Sequence, residues 1–145
     1  MKRNQRSILQ SIEFEFIDPD GELSDGPPIS FFPEIERTGN LIAANDMVTN
    51  RTTITIRFSY PLTKAVEFQT TSDTGFTKLD LFRAIYNGYK TIYTAEKDPG
   101  TMKGPLLNRA KSKGPYGIYG HYMTDLVLDS VDEVRPGYFE LTICS

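Results

Sequence analysis

The sequence is poor in the residues that most often carry catalysis and metal binding. Its 145 residues include one histidine, one cysteine and no tryptophan. The single cysteine, Cys144, excludes a disulfide within the chain and a zinc site built from several cysteines. The single histidine, His121, excludes sites that need two histidines on one helical face. We therefore expect no metal and no cofactor.

Long apolar runs and a strong charge imbalance are also missing. Nowhere do 18 apolar residues follow one another, so no membrane span is expected. The basic start MKRNQRSILQ has no apolar run long enough for a signal peptide. A formal charge of −3 is too close to balance to favour a nucleic-acid or membrane partner. These features predict a cytoplasmic protein without a membrane partner.

The length suits a single domain, residues 1–145, built around one core. Residues 1–10 are predicted to form a flexible basic tail. Residues 19–49 are predicted to form a long irregular excursion, because Gly26-Pro27-Pro28 and Phe32-Pro33 interrupt any ladder. The apolar residues within it favour packing on the body. The alternatives are an arm that reaches a partner and a short strand near Gly39–Ala44.

Alternation of apolar and polar residues predicts five strands, at 11–18, 50–60, 65–71, 125–131 and 138–144. The second and third strands read as an antiparallel hairpin with one wet face. The last two are joined by a predicted turn at 132–137. In the final strand Ile143 is expected to face the core, which turns Cys144 away from it.

One long helix follows Thr77, a plausible N-cap with Asp80 three residues on. Apolar residues at three- and four-residue spacing from Leu79 to Tyr93 define one buried face. Gly88 in its middle costs about 1 kcal/mol against alanine, which suggests close approach to another element. The fold class is predicted as α+β, a mostly antiparallel sheet of about five strands with one long helix packed across one face.

Residues 114–122, GPYGIYGHY, contain the only histidine and three tyrosines beside a basic segment. One interpretation is structural: Tyr116, Tyr119 and Tyr122 cover the core, closely spaced glycines admit them, and His121 is hydrogen-bonded and partly buried. The other is a ligand site, in which the tyrosines act with upstream bases. Those bases are Lys103, Arg109, Lys111 and Lys113.

Two functional alternatives use this segment. A small enzyme would use His121 as general acid or base with Asp125 and nearby tyrosine hydroxyls, on an anionic substrate held by Lys111 and Lys113. A nucleic-acid-binding module would hold phosphates on the bases and stack bases on the rings. The negative net charge does not favour the second alternative, and the Gly-x-Ser-x-Gly setting of many serine nucleophiles is missing.

Two segments, TGFTKLDLFRAIYNGYKTIYTAE (74–96) and YGIYGHYMTDLVLDSV (116–131), resemble an uncharacterised protein family of large DNA viruses and some microbes. In that family a similar helix precedes a Tyr-Gly-Ile-aromatic-Gly-His segment and a strand like Asp-Leu-Val-Leu. The resemblance covers about the C-terminal half of the chain. It implies a viral or microbial source and no particular activity.

The scarcity of catalytic residues favours a function in binding. We predict a non-enzymatic accessory domain that binds a protein partner or itself, with a homodimer as a plausible state. In a virus its location would be the host cytoplasm.

Overall fold

The computed structural model describes residues 8–96, 115–118 and 120–145. Two helices and nine strands are assigned within these ranges. In chain order they are β1 (Gln10–Glu13), β2 (Glu15–Ile17), β3 (Leu23–Asp25), α1 (Phe32–Thr38), β4 (Met47–Thr49), β5 (Thr53–Phe58), β6 (Val66–Thr71), β7 (Phe76–Thr77), α2 (Lys78–Ala95), β8 (Val127–Arg135) and β9 (Tyr138–Cys144). Single 3-10 turns precede α1 at Ile29–Phe31 and β8 at Met123–Asp125.

The main sheet has five strands in the order β1-β8-β9-β5-β6. Three of its four neighbouring pairs are antiparallel, and β5 and β9 run parallel. The predicted fold class is confirmed: the protein is α+β, with a mostly antiparallel five-stranded sheet and one long helix. The pairs β2–β3 and β4–β7 form two small additional ladders.

Helix α2 packs across one face of the sheet. The predicted capping box is present, since Asp80 N–H donates to Thr77 Oγ1 at 3.1 Å and Thr77 N–H donates to Asp80 Oδ2 at 3.0 Å. Tyr89 is fully buried and its ring meets Phe58 of β5 edge-on, at 5.0 Å between centroids. Gly88 lies against the same Phe58 ring. The close approach predicted at Gly88 is therefore confirmed.

The first predicted strand, 11–18, is divided between two sheets. β1 pairs with β8 in the main sheet, whereas β2 pairs with β3. Phe14 lies at the break, 1% exposed, with its ring 5.9 Å from that of Phe82. The apolar alternation continues across the break because both halves bury the same side, which is why the pattern suggested one strand.

The predicted tail 1–10 is too long. Leu9 N–H donates to the Glu133 carbonyl at 2.8 Å, and β1 begins at Gln10. Residues 9 and 10 thus belong to the sheet, and residues 1–7 lie outside the described ranges.

The segment 19–49 is more regular than predicted, and it packs on its own domain rather than forming an arm. Pro33 lies in the first turn of α1, where its missing N–H and fixed φ are tolerated, and Gly39 ends the helix with a φ of 71°. Four of its apolar residues are buried in the main core, namely Ile29, Phe32, Ile35 and Leu41. The strand considered near Gly39–Ala44 is a single bridge from Leu41 to Phe16.

The turn predicted at 132–137 is shorter than expected, because β8 continues to Arg135. Glu133 was interpreted as a turn residue, yet it is only 7% exposed. Its carboxylate accepts from Gln10 Nε2 and from Gly137 N–H, each at 2.8 Å. These two donors satisfy the buried charge, which a local sequence pattern cannot reveal.

Candidate functional site

The segment that holds His121 is attached to the loop after β5. Thr63 N–H donates to the carbonyls of Tyr116 and Gly117, at 3.2 and 3.0 Å. Ile118 is fully buried and bridges Leu62. Gly117 has a φ of 61°, a left-handed conformation that glycine adopts without strain. This attachment brings His121 next to the end of β5.

His121 lies in a small polar cluster with Tyr60 and Ser145. The Tyr60 hydroxyl is 2.9 Å from His121 Nε2 and 2.7 Å from Ser145 Oγ, while Ser145 Oγ is 3.4 Å from His121 Nε2. The histidine side chain is 14% exposed, whereas Tyr60 is 40% exposed. The phenol therefore stands between the imidazole and the serine, at the solvent boundary.

Asp125 is near the other ring nitrogen but does not hydrogen-bond to it. Its Oδ2 is 3.9 Å from His121 Nδ1 and accepts the Tyr122 main-chain N–H at 2.8 Å. A carboxylate at this distance attracts a protonated imidazole, but it does not select one tautomer of the neutral ring. The pair is thus a loose version of the predicted acid–base arrangement.

Two tyrosines of α2, the buried Tyr89 and the partly buried Tyr93, support the cluster from below. Tyr93 Oη donates to the His121 carbonyl at 2.8 Å, and Tyr89 Oη donates to the Tyr60 carbonyl at 2.6 Å. Burial, followed by the negative charge of Asp125, raises the pKa of Tyr93. Burial also raises the pKa of Tyr89. Both phenols consequently remain neutral donors that hold the backbone of the cluster.

The structure brings together His121 and Asp125 but does not describe most of the predicted ligand-binding residues. Lys103, Arg109, Lys111, Lys113 and Tyr119 lie outside the described ranges. Tyr116 and Tyr122 are partly buried against the core. Their packing agrees with the structural interpretation and leaves less ring surface for stacking on a base.

Sequence reasoning missed Tyr60 and Ser145. The strand predicted at 50–60 includes Tyr60, which continues the alternation of Ile54, Ile56 and Phe58. The strand ends at Phe58, so the following residues leave that alternation and Tyr60 turns out to solvent. For Ser145 no local pattern could have signalled its position, since the contact depends on where β9 ends.

A second surface lies at the other edge of the main sheet, the edge formed by β6 rather than by β1. A groove of about 490 Å³ runs between edge strand β6 and helix α2. On the β6 side the groove is lined by Phe68, and on the α2 side it is lined by residues with small or short side chains. The lining residues are Glu67, Phe68, Gln69, Thr70, Ala84, Asn87, Gly88 and Thr91.

The outward main-chain groups of β6 follow from its register with β5. Ser72 N–H donates to the Thr52 carbonyl at 2.8 Å, so these two residues form a hydrogen-bonded pair. Hydrogen-bonded pairs alternate along an antiparallel ladder, and Thr55 is opposite Gln69. The N–H and C=O groups of Glu67, Gln69 and Thr71 therefore point away from β5, at the outer edge of the described sheet.

The two edges of the main sheet differ. At β1, the Glu13 carbonyl accepts from Lys78 Nζ at 2.9 Å, and the Gln10 side chain donates to the Val48 carbonyl at 2.9 Å. In the described part of the chain β6 pairs with β5 alone. β6 carries a single charge, Glu67, and lacks proline, lysine and a bulge, three of the devices that protect an edge from pairing.

Comparisons with known proteins give no match: no family model, no curated protein and no solved structure is similar to this chain. The resemblance to proteins of large DNA viruses stays a prediction. Among the described residues, no helix is both long and apolar enough to cross a membrane. The same residues contain no group of three or more side chains suited to hold a metal ion.

Proposed function

We propose that this protein is a non-enzymatic protein-binding domain that receives an extended strand on the free edge of β6. The observation that carries the proposal is a regular six-residue strand whose outer edge pairs with no other described strand, next to a groove of about 490 Å³. In β-strand addition, main-chain hydrogen bonds supply affinity and pockets for alternate side chains supply specificity. An accessory role in a virus or microbe is part of the proposal and rests on the sequence resemblance.

The β6 edge offers both components of such recognition. Glu67, Gln69 and Thr71 present main-chain donors and acceptors outward, as their register requires. Val66, Phe68 and Thr70 face the helix side, since they lie opposite the buried residues of β5. Alternate side chains of an added strand would enter the groove beside Phe68.

The test uses one substitution that removes an outward donor and a matched control. Gln69→Pro deletes an N–H that points away from β5 and places the ring on the free edge, while the β5 ladder keeps its bonds. Gln69→Ala keeps the N–H. Peptides selected from a random phage-displayed library should bind the parent chain and Gln69→Ala, and should lose binding to Gln69→Pro.

Changes in amide chemical shifts in NMR spectra would locate the peptide-binding site. We expect the largest changes at Glu67, Gln69 and Thr71 when a selected peptide is added. Peptides that bind Gln69→Pro as well as the parent chain, or a library that yields no binder for a monomeric chain, would contradict the proposal.

The second candidate is the His121 enzyme, which one observation favours. Tyr60 Oη contacts both His121 Nε2 and Ser145 Oγ, so a proton could pass from serine to imidazole through the phenol. Hydrolysis of p-nitrophenyl acetate and p-nitrophenyl phosphate would test it. A rate above background that His121→Gln and Tyr60→Phe both abolish would support the enzyme, and an unchanged rate in either variant would exclude this mechanism.

A further inference from the structure

We propose that the strand received by β6 is β6 of a second copy of this chain, in antiparallel pairing centred on Phe68. The inference rests on the proposed function and names its partner. Two five-stranded sheets would then join into one continuous sheet of about ten strands, related by a two-fold axis perpendicular to the sheet.

The pleat of the strand limits the possible registers. A two-fold axis perpendicular to the sheet places the α2 helices of both copies on the same face of the joined sheet. Residues directly opposite each other must share a face, because side chains alternate along a strand. The centre of symmetry must therefore fall on a residue, and only centres at Glu67, Phe68 and Gln69 place Phe68 opposite another residue of β6.

Charge and packing separate these three registers. Glu67 is the only charged residue of β6, and a centre at Glu67 would place two carboxylates opposite each other. A centre at Gln69 would place each Phe68 opposite Thr70. A centre at Phe68 pairs Glu67 with Gln69 and sets the two phenylalanine rings side by side, which is the pairing of greatest apolar contact.

The spacing of the joined sheets leaves room for both copies of helix α2. Strands in a sheet lie about 4.8 Å apart, so the β5 strands of two joined copies would be about 14 Å apart. Helix α2 lies over β5 where Gly88 meets Phe58. Packed helices are about 8–10 Å apart, so the two helices would leave a gap between them. The two Phe68 side chains would lie under this gap, on the floor of a groove that both copies share.

Light scattering of the purified chain at about 100 µM tests the dimer, a concentration at which a micromolar interface is populated. We expect twice the 16.4 kDa mass of one chain. Gln69→Pro should halve the measured mass, and Gln69→Ala should leave it doubled. A parent chain that remains a monomer, or a Gln69→Pro variant that remains a dimer, would overturn the inference.

Cysteine cross-linking tests the register. Cys144 is exposed, so the experiment starts from Cys144→Ser. On that background, an oxidised mixture of Glu67→Cys and Gln69→Cys chains should yield the mixed disulfide, because a Phe68 centre places positions 67 and 69 opposite each other. Circular dichroism confirms that each variant is folded. A disulfide between two Gln69→Cys chains in place of the mixed one would overturn the register.

The outcomes also separate this inference from the proposed function. A monomeric chain whose β6 edge binds selected peptides, and loses them in Gln69→Pro, keeps the function and overturns the second copy as partner. A monomeric chain that binds no peptide overturns both.

Discussion

Gly88 of α2 and Phe58 of β5 are in direct contact, since a Cβ added at Gly88 would lie 2.8 Å from Phe58 Cε2. Real side chains do not approach a Cβ this closely without displacement. Phe58 is itself fully buried and touches Phe68 and Tyr89, with ring centroids 5.4 and 5.0 Å away. The absence of one side chain on the helix therefore determines how near α2 lies to the sheet.

We predict that Gly88→Ala lowers the free energy of unfolding. The added methyl group gains about 1 kcal/mol of helix propensity. Overpacking against the Phe58 ring costs about 1–3 kcal/mol, and the ring has little room to move. Urea denaturation should show a net loss. Asn87→Ala, an exposed substitution in the same turn, should be neutral or stabilising; a Gly88→Ala variant as stable as Asn87→Ala would contradict the prediction.

We predict that loss of the N-cap side chain of α2 lowers the free energy of unfolding. Thr77→Ala deletes the oxygen that accepts the Asp80 N–H, and such losses cost about 1 kcal/mol. Thr77→Ser keeps a hydroxyl and should retain most of the stability. Urea midpoints of the two variants give the comparison, and equal midpoints would show that the cap does not stabilise α2.

Stability should decline in acid partly through Asp80. Burial by itself would raise the pKa of this carboxyl, but the Thr77 N–H, Arg83 and the Thr77 hydroxyl together hold the pKa below its usual value. Because folding lowers the pKa of Asp80, its carboxylate stabilises the fold at pH values above the unfolded-state pKa of 3.8. This contribution is lost as the pH falls through the folded-state pKa. Unfolding free energies between about pH 5 and pH 2 should fall less steeply in Asp80→Asn. Identical slopes would contradict this assignment.

Tyr89 and Tyr93 should resist ionisation in alkali. Burial raises the pKa of both phenols above the usual value of 10.0. A phenol whose pKa is raised by folding contributes its full stabilisation at pH values below its unfolded-state pKa. That stabilisation is lost as the pH rises through its folded-state pKa. In an absorbance titration, the phenols of Tyr89 and Tyr93 should ionise only on unfolding.

Tyr89→Phe is the matched control for the alkaline titration. One late-ionising phenol should disappear from the curve. Stability should fall by about 1 kcal/mol, because the Tyr60 carbonyl loses the donor that it has at 2.6 Å. A curve with the same number of late phenols would exclude Tyr89 as one of them.

Features that depend on local spacing could be predicted from the sequence. The capping box of α2, the β5–β6 hairpin and the contact at Gly88 all follow from periodicity or from one unusual residue type. The α+β class follows from them, since hairpins and one amphipathic helix have few ways to bury their apolar faces.

Features that depend on distant partners could not be predicted. The parallel pairing of β5 with β9 leaves no trace in either strand's alternation. Pro33 looked like a breaker, although the first turn of a helix accommodates proline. The neighbours of His121 come from the ends of β5 and β9, so their proximity is a property of the assembled sheet.

The position of β9 has a consequence for how the chain folds as it leaves the ribosome. β9 lies between β8 and β5, in the middle of the sheet, but it is the last of the five strands of this sheet to be translated. Translation adds about 5–20 residues per second, so the 67 residues from the end of β6 at Thr71 to the start of β9 at Tyr138 take about 3–13 seconds. During that interval the nascent β5–β6 hairpin has two open sides. A nascent neighbour on the same messenger RNA could pair with either of them.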